Sequence, residues 1–492
     1  MIRADDINSA LKKSWCTDNG GNERDGDEVS RLISVVPDER QLEFLKLEYY
    51  NFIHFGINTF YKREWGDGKE DISRFNLTEL DTDQWCSVLK DTGSKGIIIT
   101  AKHHDGFCLF DTKHTDHNVM NTPFGKDIVK MLSESCKKYD LKLGIYLSPW
   151  DRHEATYGSD AYNDFFVAQL TELCTNYGEL FTLWFDGACG EGKNGKKQVY
   201  DWDRYYSVIR ELQPNAAISI CGPDVRWIGN EAGKVRESEW SVIPAEKDAN
   251  ARVMDNSQQK ENQAKKLVTF SERDADLGLR RVVSQFERLV FKPAEADVSV
   301  NYGWFYNDKK FNRASKMRKP EELAEIYFGT VGGNASLLMN VPPNRKGLID
   351  EKNVEQLKAF TALIKAPFEN DEKLFASNLI SDGHKLAPEA LFEDGEGYML
   401  LDGEKGVHLV FESVLNLTAI TLRENLSYSQ RVEGFEIYAS KGKGFNKVYE
   451  GTVIGSKRIV LFRKPVKASE ILIVPTVSRS NPVLKDIRIF KK

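Results

Sequence analysis

An α/β fold, a (β/α)8-like barrel followed by a C-terminal antiparallel β-sandwich, is what this sequence predicts, and three observations point to it. From about residue 40, short apolar runs alternate with longer amphipathic stretches. None of those runs leads into a Gly-x-Gly-x-x-Gly fingerprint. Beyond about residue 366 the pattern changes to short, often alternating runs bounded by Gly, Asn and Lys.

The apolar runs are Phe52–Ile57, Gly96–Thr100, Leu143–Leu147, Leu180–Phe185 and Ala216–Cys221, with helical patterns at Thr82–Thr92, Asp127–Tyr139 and Tyr162–Tyr177 between them. Runs that are apolar throughout suit strands buried on both faces of a parallel sheet, with helices covering the outside. Five such units without a phosphate-binding fingerprint favour a barrel over a dinucleotide fold. The charged stretch Ala245–Arg281 reads as an insertion, after which Arg288–Phe291 resumes the apolar pattern. Pro320–Phe328 begins as a helix with Pro in its first turn, and Ala335–Val341 is the last apolar strand before Pro342-Pro343. The later runs, Val407–Phe411, Leu417–Arg423, Gly434–Ser440, Lys447–Thr452, Arg458–Phe462, Glu470–Val474 and Leu484–Phe490, carry the sandwich signature. The division is therefore a polar N-terminal arm over 1–34, broken by Asn19-Gly20-Gly21-Asn22, a barrel over 35–365 and a sandwich over 366–492.

Composition narrows the function classes. At 492 residues the chain is too long for one average domain, and its 41% hydrophobic content supplies more than one core. A net charge of −6 argues against nucleic acid or an anionic membrane surface as a partner. Seven cysteines without C-x-x-C spacing argue against a zinc ribbon or a disulfide framework. No apolar stretch reaches the length of a membrane span. The first 30 residues lack an apolar signal core, which leaves a cytoplasmic protein or an exported one whose signal has been removed.

Barrels of this kind place their chemistry at the C-terminal ends of the strands. Those ends read His54-Phe55-Gly56, Lys102-His103-His104-Asp105-Gly106-Phe107, Tyr146 into Pro149-Trp150-Asp151, Trp184 into Asp186-Gly187, and Asp224 followed by Arg226-Trp227-Ile228-Gly229-Asn230-Glu231. Asp186 stands where an apolar strand leaves the sheet, and Gly187 behind it permits a tight turn. An N-capping Asp would look the same in isolation; the convergence of five units on one rim favours catalysis. His103 and His104 can both face one site only at a strand end. With His54 they form either a sugar-hydroxyl set or, as the alternative, metal ligands, although no H-x-H or H-E-x-x-H spacing accompanies them. Glu64-Trp65, followed by Gly66 and Gly68 in the first loop, pairs a carboxylate with a flat apolar ring, as sugar sites do, and Trp304 after Gly303 allows a similar reading. Cleavage of a glycosidic bond needs two carboxylates, one to attack or activate water and one to protonate the leaving oxygen. Asp186 is the attacker. For the donor, Glu231, Glu237, Glu239 and Glu295 remain open, and Glu295 and Asp297 read either as residues bordering the site or simply as polar loop residues.

Phe52-Ile-His-Phe-Gly-Ile-Asn, Arg63-Glu-Trp-Gly, Lys102-His-His-Asp-Gly-Phe, Tyr146-Leu-Ser-Pro-Trp-Asp and Leu183-Trp-Phe-Asp-Gly-Ala together resemble family 29 of the glycoside hydrolases, the retaining α-L-fucosidases, over about residues 35–350. Gly190-Glu191-Gly-Lys-Asn-Gly-Lys-Lys and Trp227-Ile-Gly-Asn-Glu-Ala-Gly look like the α1,3/α1,4-specific subfamily, which places Glu191 in the substrate-binding set. The resemblance implies Asp186 as nucleophile and Glu231 as acid/base. It implies His54, Glu64, Trp65, His103, His104, Tyr146 and Trp184 as the sugar-binding set, a fucosylated oligosaccharide or glycoconjugate as substrate, and neither cofactor nor metal. A metal-dependent barrel hydrolase and a non-catalytic fucose-binding protein stand as the alternatives.

Overall fold

The computed structural model describes residues 26–245, 274–372, 379–381, 384–385, 391, 396–401 and 406–492. The Asn19–Asn22 part of the arm, Cys16 and most of the Ala245–Arg281 insertion lie outside them.

Eight parallel strands form the barrel sheet: β1 (Tyr49–Ile53), β2 (Gly96–Lys102), β3 (Lys142–Leu147), β4 (Leu180–Phe185), β5 (Ala217–Ile220), β6 (Arg226–Trp227), β7 (Ala294–Ser299) and β8 (Ala335–Asn340). Their spatial order is β5-β4-β3-β2-β1-β8-β7-β6. The seam between β5 and β6 is spanned by a single parallel bridge, Ser219 to Val225, with Ile220 N–H donating to Val225 O at 3.0 Å. The barrel is thus nearly closed. Asp224 stabilises this seam: it accepts from Ile218 N–H at 2.7 Å and takes both its contacts from Arg210 at 2.6 Å. That rim carboxylate is structural.

Helices Thr82–Asp91, Ile128–Lys138, Ala161–Asn176, Trp202–Leu212, Pro320–Thr330 and Glu351–Lys365 cover the outside. Asp81, Asp127, Asp201 and Asp350 each cap one of them by accepting a backbone N–H of the first turn. β5 runs into β6 without a helix, and β6 reaches β7 through an excursion in which Val242–Pro244 pairs antiparallel with Leu289–Phe291. The apolar run at 288–291 is therefore not a barrel strand. The strand that follows it, Ala294–Ser299, carries Glu295 and Asp297 inward, both buried. An alternation of Ala or Val with buried acids does not look like a barrel strand, and so it reads as a loop.

Gly26–Ile33, the described part of the arm, is a helix whose Arg31 guanidinium donates to Phe286 O at 2.8 Å and Val283 O at 3.1 Å, with Leu32 fully buried.

After Ala366–Phe368 the chain enters an antiparallel sheet. Two runs expected as separate strands, Val407–Phe411 and Leu417–Arg423, are one strand, Val407–Glu424, bulged between Val410 and Leu415. Arg458–Phe462 and Glu470–Val474 likewise merge into Arg458–Ser478. Pro465 sits where that register breaks, a position at which a strand tolerates a residue without an N–H. The sheet holds the barrel by half-buried ion pairs: Glu48, ahead of β1, meets Arg423 and Lys457.

Candidate active site

A cavity of about 590 Å³ opens at the C-terminal ends of the barrel strands. It is lined by His54, Glu64, Trp65, His103, His104, Trp184, Asp186, Glu231 and Trp304 from the residues singled out above. Tyr146 reaches it from beneath: its hydroxyl donates to Asp186 Oδ2 at 2.9 Å, and its ring stacks on Trp184 at 5.3 Å and on His103 at 5.6 Å. Glu191 does not line the cavity. It lies exposed on a turn bridged to Lys197, four positions beyond Gly187, which does line it.

Asp186 leaves β4 and folds back so that its Oδ1 accepts from Ala188 N–H at 2.8 Å, while Oδ2 faces the Tyr146 hydroxyl and lies 3.8 Å from His104 Nε2. Both oxygens are thus aimed, and the side chain keeps 23% of its surface open to the cavity.

The three histidines are buried and neutral. Burial lowers His54 to about 3 and His104 to about 4, and, with the nearby imidazoles, pulls His103 well below the ordinary range. His54 Nδ1 faces Asn340 Oδ1 at 3.0 Å, and His104 Nδ1 faces Ser148 Oγ at 2.8 Å. Each ring is oriented by one nitrogen. Asn340 is itself fixed, donating to Ser299 Oγ and Trp304 O at 2.8 Å. Glu64 Oε2 accepts from Trp304 N–H at 2.7 Å, whereas its Oε1 is buried with no hydrogen-bond partner among the described residues, as suits an acceptor for a hydroxyl. Trp65 stands edge-on to His104 and Trp150 and is 47% exposed at the mouth.

The four open donor candidates separate clearly. Glu295 is fully buried below the cavity, where Trp184 Nε1 donates to Oε1 at 2.6 Å and the Tyr50 hydroxyl donates to Oε2. Burial raises it to about 7. Glu239 is buried between Arg226 and Arg236. Glu237 is exposed and does not line the cavity. Glu231 alone of the four lines the cavity with Asp186, and Trp304 Nε1 donates to its Oε2 at 3.3 Å.

The lining also includes Asp297, which the sequence set at the border of the site, and residues that sequence reasoning did not select. Asp297 enters from β7 with Trp227 Nε1 donating to its Oδ1 at 2.9 Å. Lys234, Arg236, Asp274 and Ala275 close the side beyond Glu231. Ile220 forms part of the wall with φ at 70°, a left-handed conformation costly for a β-branched residue and imposed by the abrupt β5–β6 turn. Only the Trp227–Glu231 run carried a signal, its rim position; Lys234 and Arg236 had none. Among the described residues no group of three His, Cys, Asp or Glu side chains converges as a metal-ligand set, and no helix is long and apolar enough to cross a membrane.

The alpha-L-fucosidase family model matches residues 34–367. Alpha-L-fucosidase 1 of Arabidopsis thaliana is 35% identical over 475 residues, covering 93% of this chain and 88% of that protein. A Bacteroides ovatus crystal structure proposed to be an alpha-L-fucosidase superposes with a TM-score of 0.81 at 39% identity, over 94% of this chain and 75% of that one. A family 29 fucosidase of Ruminococcus gnavus, solved in complex with fucose, superposes with a TM-score of 0.76 at 29% identity, over 93% and 95% of the two chains.

Proposed function

This chain belongs to the alpha-L-fucosidase family of glycoside hydrolases, and from that premise we propose that it is a retaining exo-α-L-fucosidase releasing terminal α1,3- or α1,4-linked fucose from Lewis-type oligosaccharides or glycoconjugates. The observation that carries the mechanism is the opening of Asp186 and Glu231 into one cavity from different barrel strands.

In the first step an Asp186 oxygen attacks the anomeric carbon while Glu231 gives its proton to the departing glycosidic oxygen, leaving a covalent fucosyl-enzyme. In the second, Glu231 takes a proton from water, the water oxygen bonds to the anomeric carbon, and Asp186 departs with the configuration retained. Tyr146 and Ala188 N–H hold the attacking carboxylate on its trajectory. His54, His103 and His104, being neutral, can both donate to and accept from sugar hydroxyls, and Glu64 Oε1 accepts another. Trp65 and Trp304 offer apolar faces to the 6-methyl group.

Two features support a branched substrate. The cavity volume lies in the range that buries a drug-sized ligand, more than one deoxyhexose fills. The Gly190–Gly192 turn continues the chain that leaves the nucleophile, so a neighbouring sugar emerging on that side meets Glu191.

Azide tests the division of roles. Glu231→Ala with an activated aryl fucoside should yield a fucosyl azide of retained configuration, and Asp186→Ala at best an inverted one. Retained product from Asp186→Ala would overturn the nucleophile assignment; normal turnover of Glu231→Ala on natural glycans would overturn the acid/base. For linkage, digestion of α1,2-, α1,3-, α1,4- and α1,6-fucosylated oligosaccharides should favour the α1,3 and α1,4 members, and preferred cleavage of α1,2 or α1,6 linkages would refute that part.

A further inference from the structure

Asp297 is the most deeply placed ionisable group on the cavity wall that the mechanism above leaves unused. It projects from β7, is 5% exposed, and opens into the same cavity as Glu231. Trp227, which donates to Asp297 Oδ1, lies on β6 four residues before Glu231, so one rigid element both holds Asp297 and launches the loop that carries Glu231. The two carboxyls interact as like charges, and Glu231 exerts the same effect on Glu64.

The surroundings give Asp297 little reason to ionise. From its own strand comes Glu295, a second acid; from β1 comes the Tyr50 hydroxyl, committed to Glu295; β8 contributes no titratable side chain. Across the cavity stand Glu64, Asp186, Asp274 and the neutral His54, His103 and His104. The cations of the wall, Lys234 and Arg236, belong to the loop beyond Glu231, and Arg236 is engaged by Glu239. Burial first, then the charge of Glu231, pushes the Asp297 carboxyl well above the ordinary range, against the pull of the Trp227 hydrogen bond.

Resting on the acid/base reading of Glu231, we propose that Asp297 is a positioning residue for proton transfer: the Asp297 and Glu231 carboxyls hold one proton between them, so that Glu231 enters the first step as an acid. Two like-charged carboxyls in one site give up their protons in separate stages, and the last proton is the hardest to remove. In the first step that proton passes to the departing oxygen as the anomeric C–O bond breaks and the bond to Asp186 forms, leaving both carboxyls ionised. In the second, water gives its proton back to the pair as its oxygen bonds to the anomeric carbon and the Asp186 bond breaks. The device matters for sugar leaving groups, which need full protonation, and hardly at all for activated aryl ones.

The test is the basic limb of the pH profile of kcat/KM on a fucosylated oligosaccharide, measured for the full chain. Asp297→Asn keeps an acceptor for Trp227 Nε1 and removes the second charge; the limb should fall by about one pH unit or more. Trp227→Phe removes the donor that favours the Asp297 anion; the limb should move the other way, toward higher pH, whatever happens to KM. Asp297→Asn should still turn over an aryl fucoside, which certifies its fold; if it does not, the Trp227→Phe shift decides. An unmoved limb in Asp297→Asn, or a downward shift in Trp227→Phe, overturns the proposal. Glu231→Gln in the same series separates the two readings. If it abolishes the limb while Asp297→Asn leaves it in place, only the shared proton is refuted; if the limb survives in Glu231→Gln, the acid/base reading falls and this one with it.

Discussion

The two halves of the barrel are built differently. From β1 to β4 each strand is largely apolar and buried, each is followed by a helix, and each delivers a neutral imidazole, an aromatic ring or the Asp186 carboxylate to the rim. In the second half β5 and β6 are short, one crossover has no helix, another is an excursion, and β7 turns the acids Glu295 and Asp297 inward. On the proposed mechanism, the first half grips a neutral sugar and attacks it, and the second half manages protons. Carboxyls buried together in a low-dielectric interior keep their protons, which is what the donor side of a glycosidase requires and what a sugar-gripping surface does not.

The largest effects should expose that division. Asp186→Ala should reduce kcat by about 10⁴-fold or more for every fucoside, because no covalent intermediate can form. Glu231→Ala should cost about 10²–10⁴-fold on oligosaccharides yet far less on a nitrophenyl fucoside, whose leaving group needs little protonation. Measuring both variants on both substrates checks the contrast. A leaving-group-independent loss in Glu231→Ala would erase the distinction between the halves.

The same contrast explains what was legible in the sequence. Thr82–Asp91, Ile128–Lys138 and Ala161–Asn176 stand within a residue or so of their sequence-derived bounds, and an Asp cap with amphipathic spacing marks the first two. The rim motifs of β1 to β4 were visible because polar residues follow apolar strands abruptly. Hydrophobic pattern failed where the chemistry is densest. Ala294–Ser299 alternates small apolar residues with Glu295, Asp297 and Ser299, so only the barrel around it shows that it is a strand. Arg226–Trp227 is too short to leave a pattern. Leu289–Phe291 looked like a barrel strand because it is apolar, yet it pairs outside the barrel. The Tyr50 hydroxyl that helps to engage Glu295 comes from 245 positions away, a separation that no local window reads.

A middle-sized effect concerns stability. The folded protein keeps the Glu295 proton up to about pH 7, whereas a free glutamate loses it near 4.5. Between those values the unfolded chain binds fewer protons than the folded one, so stability falls as pH rises through the window and levels off above it. Glu295→Gln can accept from Trp184 and donate to Tyr50 without titrating. The wild type should therefore lose on the order of 2 kcal/mol relative to Glu295→Gln between pH 5 and pH 8, read from denaturant midpoints at each pH. Parallel profiles would mean that this acid is ionised and that the second half is less proton-retentive than its burial implies.

A smaller effect tests how far the grip extends beyond the first half. A Lewis trisaccharide should exceed its galactose-free disaccharide in kcat/KM by roughly tenfold, since contacts to a remote unit can be expressed in the transition state. Glu191→Ala should remove part of that advantage and leave the disaccharide unaffected. Equal values for the two sugars would detach the branched-substrate reading from the fucosidase assignment without harming the latter.

The smallest expected effect is none at all, on exhaustive chelation. His54 and His104 each give one ring nitrogen to a protein partner, Asn340 and Ser148, and burial keeps both rings neutral. The nitrogen left on each ring could face either a hydroxyl or a metal, so the choice rests on the carboxylates. A metal-activated water would need Asp186 as a ligand, whereas Asp186 is held by the Tyr146 hydroxyl and Ala188 N–H, donors that suit a free carboxylate about to attack carbon. Activity on an aryl fucoside should be the same before and after dialysis against a strong chelator, with the metal content of the protein measured alongside. A loss restored by zinc or manganese would show that the first half holds an ion rather than a sugar. It would turn the three histidines from hydroxyl partners into ligands and leave Asp186 without its role as nucleophile.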